Sequence, residues 1–149
     1  MQAVHDVSAF ILRHRHIAPQ RVAIDLGSST FTYAELGAVV DSMAMRLQQA
    51  GLVSGDLVML TADSELILLV SMLGISAAGG VSMVLRRSMP QSSVDEQWMR
   101  LKPPFLVTDH HRFNVPTART VFVRPDDLRY IGSSGEVAPS LRVTHSRPE

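Results

Sequence analysis

Histidine and aspartate are the residues of this sequence whose types and spacing suggest metal chemistry. His14 and His16 stand two positions apart, and His110 and His111 directly follow Asp109. Residues two apart share a face on a strand but not on a helix, so the first pair could converge only on a strand. A closed metal site also needs further ligands, and the sequence has no cysteine and no third histidine cluster. We therefore expect surface histidines in loops and no metal site.

The sequence contains a single lysine. Of its 14 basic residues, only Lys102 is a lysine. Any reaction or phosphate contact that needs a lysine therefore has one candidate. Basic and acidic side chains balance at 14 each, so no net field steers the chain toward nucleic acid or anionic lipid.

The segment Ile24 to Thr30, with the sequence Ile-Asp-Leu-Gly-Ser-Ser-Thr, offers a possible nucleotide site. It resembles the first phosphate loop of the actin, hexokinase and Hsp70 superfamily, in which the Asp sits at a metal and the turn holds phosphate. The alternative interpretation is a strand and a hairpin turn leading to Phe31. We favour the hairpin because a capped helix follows at once. Unchanged nucleotide binding in Asp25→Ala would rule out the phosphate loop.

Length and composition indicate one folded domain. The chain has 149 residues, of which 46% are hydrophobic and 19% charged, which is too apolar for a disordered chain. Met1 to Phe10 lacks the basic start and apolar stretch of a signal peptide. The longest apolar stretch, Leu66 to Ala78, is too short to span a bilayer. We expect a cytoplasmic protein.

Two helices are predicted in the first third of the sequence. Val7 to Arg13 has the apolar spacing of a short amphipathic helix. Thr32 and Glu35 form a capping-box pattern for a longer helix over Tyr33 to Ala50. Gly51 suits the left-handed position after its end.

Two more helices are predicted further along the chain. Ser64 can cap a helix whose body, Leu66 to Ala78, is apolar nearly all round and should be buried on several sides. Ser93 and Glu96 make a second capping-box pattern, and the helix that follows should stop before Pro103.

Short β-rich segments lie between these helices and set the fold class. They are Leu57 to Leu60, Val81 to Leu85, Phe105 to Val107 and Thr120 to Val123. Alternating strands and helices predict right-handed crossovers, and hence an α/β fold with a mostly parallel sheet flanked by helices. Glycine, serine, proline and charge increase after Pro125. We therefore place an α/β core domain at 1–124 and a C-terminal segment at 125–149.

The order of these elements resembles a known family. Phe31-Thr32-Tyr33-Ala34-Glu35-Leu36, followed by a helix, Gly51 and Gly55-Asp56-Leu57-Val58, is similar to the start of the adenylate-forming enzymes. These are the acyl-CoA synthetases, nonribosomal peptide adenylation domains and luciferases. The resemblance covers roughly Arg21 to Asp109 and implies the first subdomain of the adenylate-forming fold.

The resemblance also implies a phosphate loop, here degenerate. In the family, a Ser/Thr/Gly-rich loop ending in Pro-Lys-Gly wraps ATP phosphates with backbone N–H groups. The matching residues are Ser133, Ser134 and Gly135, but Glu136 adds a negative charge and Ser140 replaces the lysine. Phosphate binding should therefore be weak or absent, with no catalytic residue and no cofactor expected.

The family's remaining site residues lie beyond the matching region, which leaves two functional hypotheses. The first is a truncated, non-catalytic homologue or fragment that acts through protein association, as a homo-oligomer or with a partner of a ligase or peptide-synthetase system. It rests on the apolar helix at Leu66 to Ala78, which neighbouring layers cover in the parent fold. The alternative is the ATP-binding part of a split acyl-adenylating ligase, using ATP and Mg²⁺ with a partner chain.

Overall fold

The computed structural model describes residues 7–27, 30–115, 118–128, 130–131, 136–137 and 142–145. Its helices are α1 (Val7–Ile17), α2 (Tyr33–Gln49), α3 (Glu65–Ala77) and α4 (Gln91–Leu101), with a 3₁₀ helix at Pro125–Leu128. Its strands are β1 (Val22–Asp25), β2 (Thr30–Thr32), β3 (Leu57–Thr61), β4 (Val81–Val84), β5 (Phe105–Thr108), β6 (Arg119–Phe122), β7 (Tyr130–Ile131), β8 (Glu136–Val137) and β9 (Arg142–His145).

Among the described residues, the main sheet has five strands in the order β4-β3-β5-β6-β9. The first four run parallel, and β9 pairs antiparallel with β6. This arrangement confirms the predicted α/β fold with a mostly parallel sheet flanked by helices. β1 and β2 form a separate antiparallel hairpin. The proposed domain boundary at residue 124 stays a prediction, and β9 adds its strand to the main sheet from beyond that boundary.

The side chains of the sheet alternate between two hydrophobic clusters, one on each face. On β3, Val58 and Leu60 point to a large cluster built with α2 and α3, whereas Met59 points to a small cluster built with α4. On β5, Phe105 and Val107 join the first cluster and Leu106 joins the second. We call these the α2/α3 face and the α4 face.

The helices of the α2/α3 face form as their sequence predicts. The capping box at Thr32 is complete: its side chain accepts the N–H of Glu35, and the Glu35 side chain accepts the N–H of Thr32. The Ser64 side chain accepts the N–H of Ile67 at the start of α3. Gly51 has the expected positive φ of 102° after α2. Local sequence therefore fixes both helix starts.

Most of the surface of α3 is buried, as its all-round apolar pattern predicts. Ile67, Val70 and Ile75 are at most 1% exposed, whereas Met72 is 40% exposed. No helix in the described ranges is long and apolar enough to cross a membrane.

Three local expectations are wrong: the capping of α4, the end of α1 and the loop position of its histidines. α4 begins at Gln91 with Pro90 as its N-cap, and no side chain caps it, so Ser93 lies inside the first turn. The Ser93 N–H donates to the Pro90 carbonyl at 3.0 Å, which shows that the helix has already formed there. α1 continues to Ile17 and includes His14 and His16, which therefore lie on a helix and not in a loop.

Candidate functional site

The carboxyl ends of β3 and β5 bring the most densely connected polar side chains of the described residues together. Thr61 ends β3 and Thr108 ends β5, and the two residues are register partners in the parallel sheet. Asp63 follows the first strand and Asp109 follows the second. Ligands of open parallel sheets bind at this edge, so it is the candidate functional site.

Asp109 fastens the start of α3 to the end of β5. Its two carboxylate oxygens accept the backbone N–H groups of Asp63 and Ser64 at 2.9 and 3.0 Å. The negative charge also lies at the positive end of the α3 dipole, which favours it. Asp109 therefore has a structural role, because both of its oxygens are engaged by the backbone.

Asp63 is held by two arginines. Arg87 Nε lies 3.0 Å from Asp63 Oδ1, and Arg112 Nη2 lies 2.6 Å from Asp63 Oδ2. Arg87 follows β4 and Arg112 follows β5, so this one carboxylate joins the connections after three neighbouring strands. Since Arg87 is 62% exposed, its ion pair is screened by solvent and contributes at most about 1 kcal/mol.

His110 completes this cluster through both of its ring nitrogens. Its Nδ1 accepts the backbone N–H of Arg112 at 3.3 Å. Its Nε2 lies 3.2 Å from the hydroxyl oxygen of Thr61. Both ring nitrogens are therefore in use. The loop position and partial exposure of His110 agree with the sequence-based expectation.

Ligand atoms of Asp63, Asp109 and His110 lie within 4.8 Å of one another, as in a possible cation site. Each of these groups already has protein partners, and a cation would have to displace both arginines from Asp63. The donor set does not favour a metal, and the expected absence of a metal site stays a prediction. Sequence reasoning missed this grouping, although an aspartate shortly after each of two buried strands was a usable signal.

A small cavity of about 270 Å³ lies beside the cluster on the α4 face. The connection from β5 to β6 spans 109–118, and no helix is found in its described part. Parallel strands are usually joined by a helix that covers the sheet, and the described part of this connection adds no such helix over β5 and β6. The ring of His111 packs against Phe122 with centroids 4.4 Å apart at the rim.

The predicted phosphate-loop residues Ser133, Ser134 and Gly135 lie outside the described residues, as does Ser140. The strands on either side of the loop are described: β7 and β8 pair antiparallel, with Ile131 opposite Glu136. This short hairpin lies beside α2. The three loop residues therefore remain a prediction.

The alternative nucleotide segment forms the expected hairpin. Asp25 lies opposite Thr30 in the antiparallel β1–β2 pair. Its carboxylate accepts the backbone N–H of Gly27 at 2.9 Å, which is a turn-forming contact. The tip residues 28–29 lie outside the described ranges.

Lys102 lies at the amino ends of the strands of the sheet, whereas the candidate site lies at their carboxyl ends. It is exposed, ends α4 in a left-handed conformation with φ of 44°, and stands just before β5 begins. The carboxyl-edge cluster follows the other end of β5. The only lysine is thus placed where it cannot reach the cluster.

Comparison with known proteins identifies the family of this fold. One of the subunits of linear gramicidin synthase from Brevibacillus parabrevis is 31% identical over 83% of this chain. Malformin synthetase mlfA of Aspergillus homomorphus is 32% identical over 72% of the chain. This chain spans 2% of the length of each of these relatives.

Solved structures show the same fold. IdnL1 matches 99% of this chain with a TM-score of 0.74 and 19% identity. The N-terminal subdomain of NpsA from Klebsiella oxytoca matches 78% with a TM-score of 0.70 and 21% identity. This chain spans 28% of the first structure and 31% of the second. The sequence profile of the AMP-binding enzymes matches residues 13–141, and the chain therefore belongs to the AMP-binding enzyme family.

Proposed function

We propose that this 149-residue polypeptide does not adenylate an acid by itself and acts by associating with protein, first of all with a second copy of itself. The observation that carries the proposal is the closed set of contacts at the carboxyl edge. Arg87 and Arg112 are both held by Asp63, and Asp109 is held by backbone N–H groups. Each of these charged groups therefore already has a partner within the chain.

The lysine position supports the same proposal. Lys102 lies at the amino edge of the sheet, and Ser140 stands where the family's phosphate loop has its lysine. Glu136 directly follows the predicted loop in the sequence, and a negative charge there is unfavourable for binding a triphosphate. The residues fit ATP and Mg²⁺ poorly, and we propose a cytoplasmic protein that works without a bound cofactor.

Titration calorimetry with ATP and Mg²⁺ tests this proposal, together with sedimentation equilibrium of the same sample. We expect no saturable heat of nucleotide binding and a concentration-dependent dimer. Micromolar nucleotide binding would contradict the non-catalytic part of the proposal. A monomer at every concentration would contradict self-association.

A second candidate is the ATP-binding part of a split acyl-adenylating ligase completed by a partner chain. The β7–β8 pair favours it, because the predicted Ser133, Ser134 and Gly135 join two paired strands, as a phosphate-binding turn would. If nucleotide binding is observed, Gly135→Asp should abolish it, whereas Asp25→Ala should leave it unchanged. The opposite result would assign the nucleotide-binding site to the β1–β2 hairpin.

A further inference from the structure

We propose that strand β4 is the surface through which two copies of this chain associate, by antiparallel pairing about a two-fold axis at Met83. The inference rests on the proposed self-association and names its surface. It is carried by the hydrogen-bonding groups, exposure and charge of residues 79–87.

β4 forms the end of the sheet, and its outer side is open in the described chain. The N–H of Val81 donates to the Asp56 carbonyl and that of Leu85 to the Leu60 carbonyl, both at 2.8 Å. The N–H and C=O groups of successive residues in a strand point to opposite sides, so in β4 it is the odd-numbered residues that bond to β3. The N–H and C=O groups of Ser82 and Val84 consequently point away from the sheet.

Two of the features that keep natural edge strands apart are missing from this edge. Residues 79–85 contain no charged residue and no proline. Val81 is 53% exposed and Val84 is 45% exposed, and they lie on opposite faces of the strand. Both faces of the edge therefore present an apolar side chain next to open backbone groups.

A second copy of β4 satisfies these backbone groups reciprocally. With the two strands antiparallel and the axis at Met83, Ser82 of one copy lies opposite Val84 of the other, and each pair exchanges two hydrogen bonds. Every outward N–H then meets a C=O. Main-chain pairing of this kind is a common way to bind an extended segment, and a two-fold axis is the commonest symmetry of homodimers.

Charge selects the antiparallel direction. Arg86 and Arg87 follow β4 at one end only, and Arg86 is exposed. Parallel pairing would place the arginines of both copies side by side, and like charges in that position are destabilising. Antiparallel pairing places them at opposite ends of the interface.

The axis also joins the small hydrophobic clusters of the two copies. Met83 packs against the α4-face cluster, which contains the buried Leu85. At the axis, the two Met83 side chains meet on this face. The thinner cluster of each copy thereby gains an apolar neighbour across the axis.

Single-cysteine variants test the register, because the chain contains no cysteine. Met83 would face its own copy in a non-hydrogen-bonded pair, with Cα atoms about 4.5 Å apart, within disulfide range. Ser82 would lie more than about 7 Å from its own copy, out of range. Under mild oxidation, we expect Met83→Cys to form a disulfide dimer at least about tenfold faster than Ser82→Cys.

Sedimentation equilibrium of reduced variants separates this inference from the proposed association. Val84→Lys should weaken the dimer about tenfold, whereas Met45→Lys, at an exposed methionine on α2, should not. A dimer that persists in Val84→Lys, or that gives equal cross-linking at both cysteine positions, would overturn the β4 surface and leave association intact. A wild-type chain that stays monomeric would overturn both.

Discussion

The two faces of the central sheet differ in how completely the chain covers them. On one face, α2 and α3 bury a cluster that extends over β3, β5 and β6. On the other face, α4 and the connection after β5 cover a much smaller cluster, and a cavity of about 270 Å³ opens beside it. The α2/α3 face therefore provides most of the hydrophobic stabilisation.

This difference follows from the connections between strands. The crossover between β3 and β4 is α3, and the crossover between β4 and β5 is α4, which lies on the opposite face. The connection from β5 to β6 spans only 109–118, and its described part contains no helix to add to the α4 side. Coverage of a parallel sheet depends on such helices, and within the described residues the α4 face has the smaller hydrophobic cluster.

The largest expected effect compares neighbouring residues of β3. Leu60 and Met59 are both fully buried, but they point to opposite faces. We expect Leu60→Ala to lower the free energy of unfolding by about 4 kcal/mol and Met59→Ala by about 2 kcal/mol. The smaller cluster on the α4 face can relax more easily into the space that the substitution leaves. Urea denaturation measures both values. Equal losses would show that the two faces are equally well packed.

Glycine substitutions test how closely α2 and α3 pack on the α2/α3 face. A Cβ at Gly74 would lie only 2.7 Å from Met43 Cβ, so the two helices would have to separate. We expect Gly74→Ala to lower the unfolding free energy by about 2 kcal/mol. Gly37→Ala is the matched control, since the three atoms nearest to its Cβ would all belong to the Arg15 side chain, which can move. The control should change stability by less than about 0.5 kcal/mol in the same assay.

The smallest expected effect concerns the first turns of α3 and α4. Ser64 caps α3 with its side chain, whereas Ser93 lies inside α4 and caps nothing. Ser64→Ala should lower the unfolding free energy by about 1 kcal/mol, and Ser93→Ala should stay within about 0.5 kcal/mol of the wild-type chain, both measured by urea denaturation. A comparable loss in Ser93→Ala would mean that α4 begins where its sequence pattern predicted.

The capping patterns show where sequence reasoning succeeds and where it fails. Thr32 with Glu35 and Ser93 with Glu96 have the same spacing, yet only the first pair forms a capping box. In the second case Pro90 is the N-cap, so the helix starts three residues earlier than the pattern predicts. A capping pattern is local, so a stronger helix start nearby overrides it.

The candidate site was harder to predict than the fold. Asp63 and Asp109 are 46 residues apart in sequence and meet only because β3 and β5 are neighbours. Alternating strands and helices predicted the parallel sheet but not the order of its strands. Sequence reasoning placed His110 in a surface loop, but could not know that Thr61 and Arg112 would use both of its nitrogens.

The sequence by itself determined the α/β class, the capped helices α2 and α3, the β1–β2 hairpin and the family resemblance. These features depend on short-range spacing of apolar, capping and turn residues, which the chain carries locally. Only the tertiary structure decided that Asp63 is held between two arginines and that, within the described residues, β4 is an edge strand and the α4 face has the smaller cluster. Those outcomes depend on strand order and on the hand of each crossover, which place distant residues side by side.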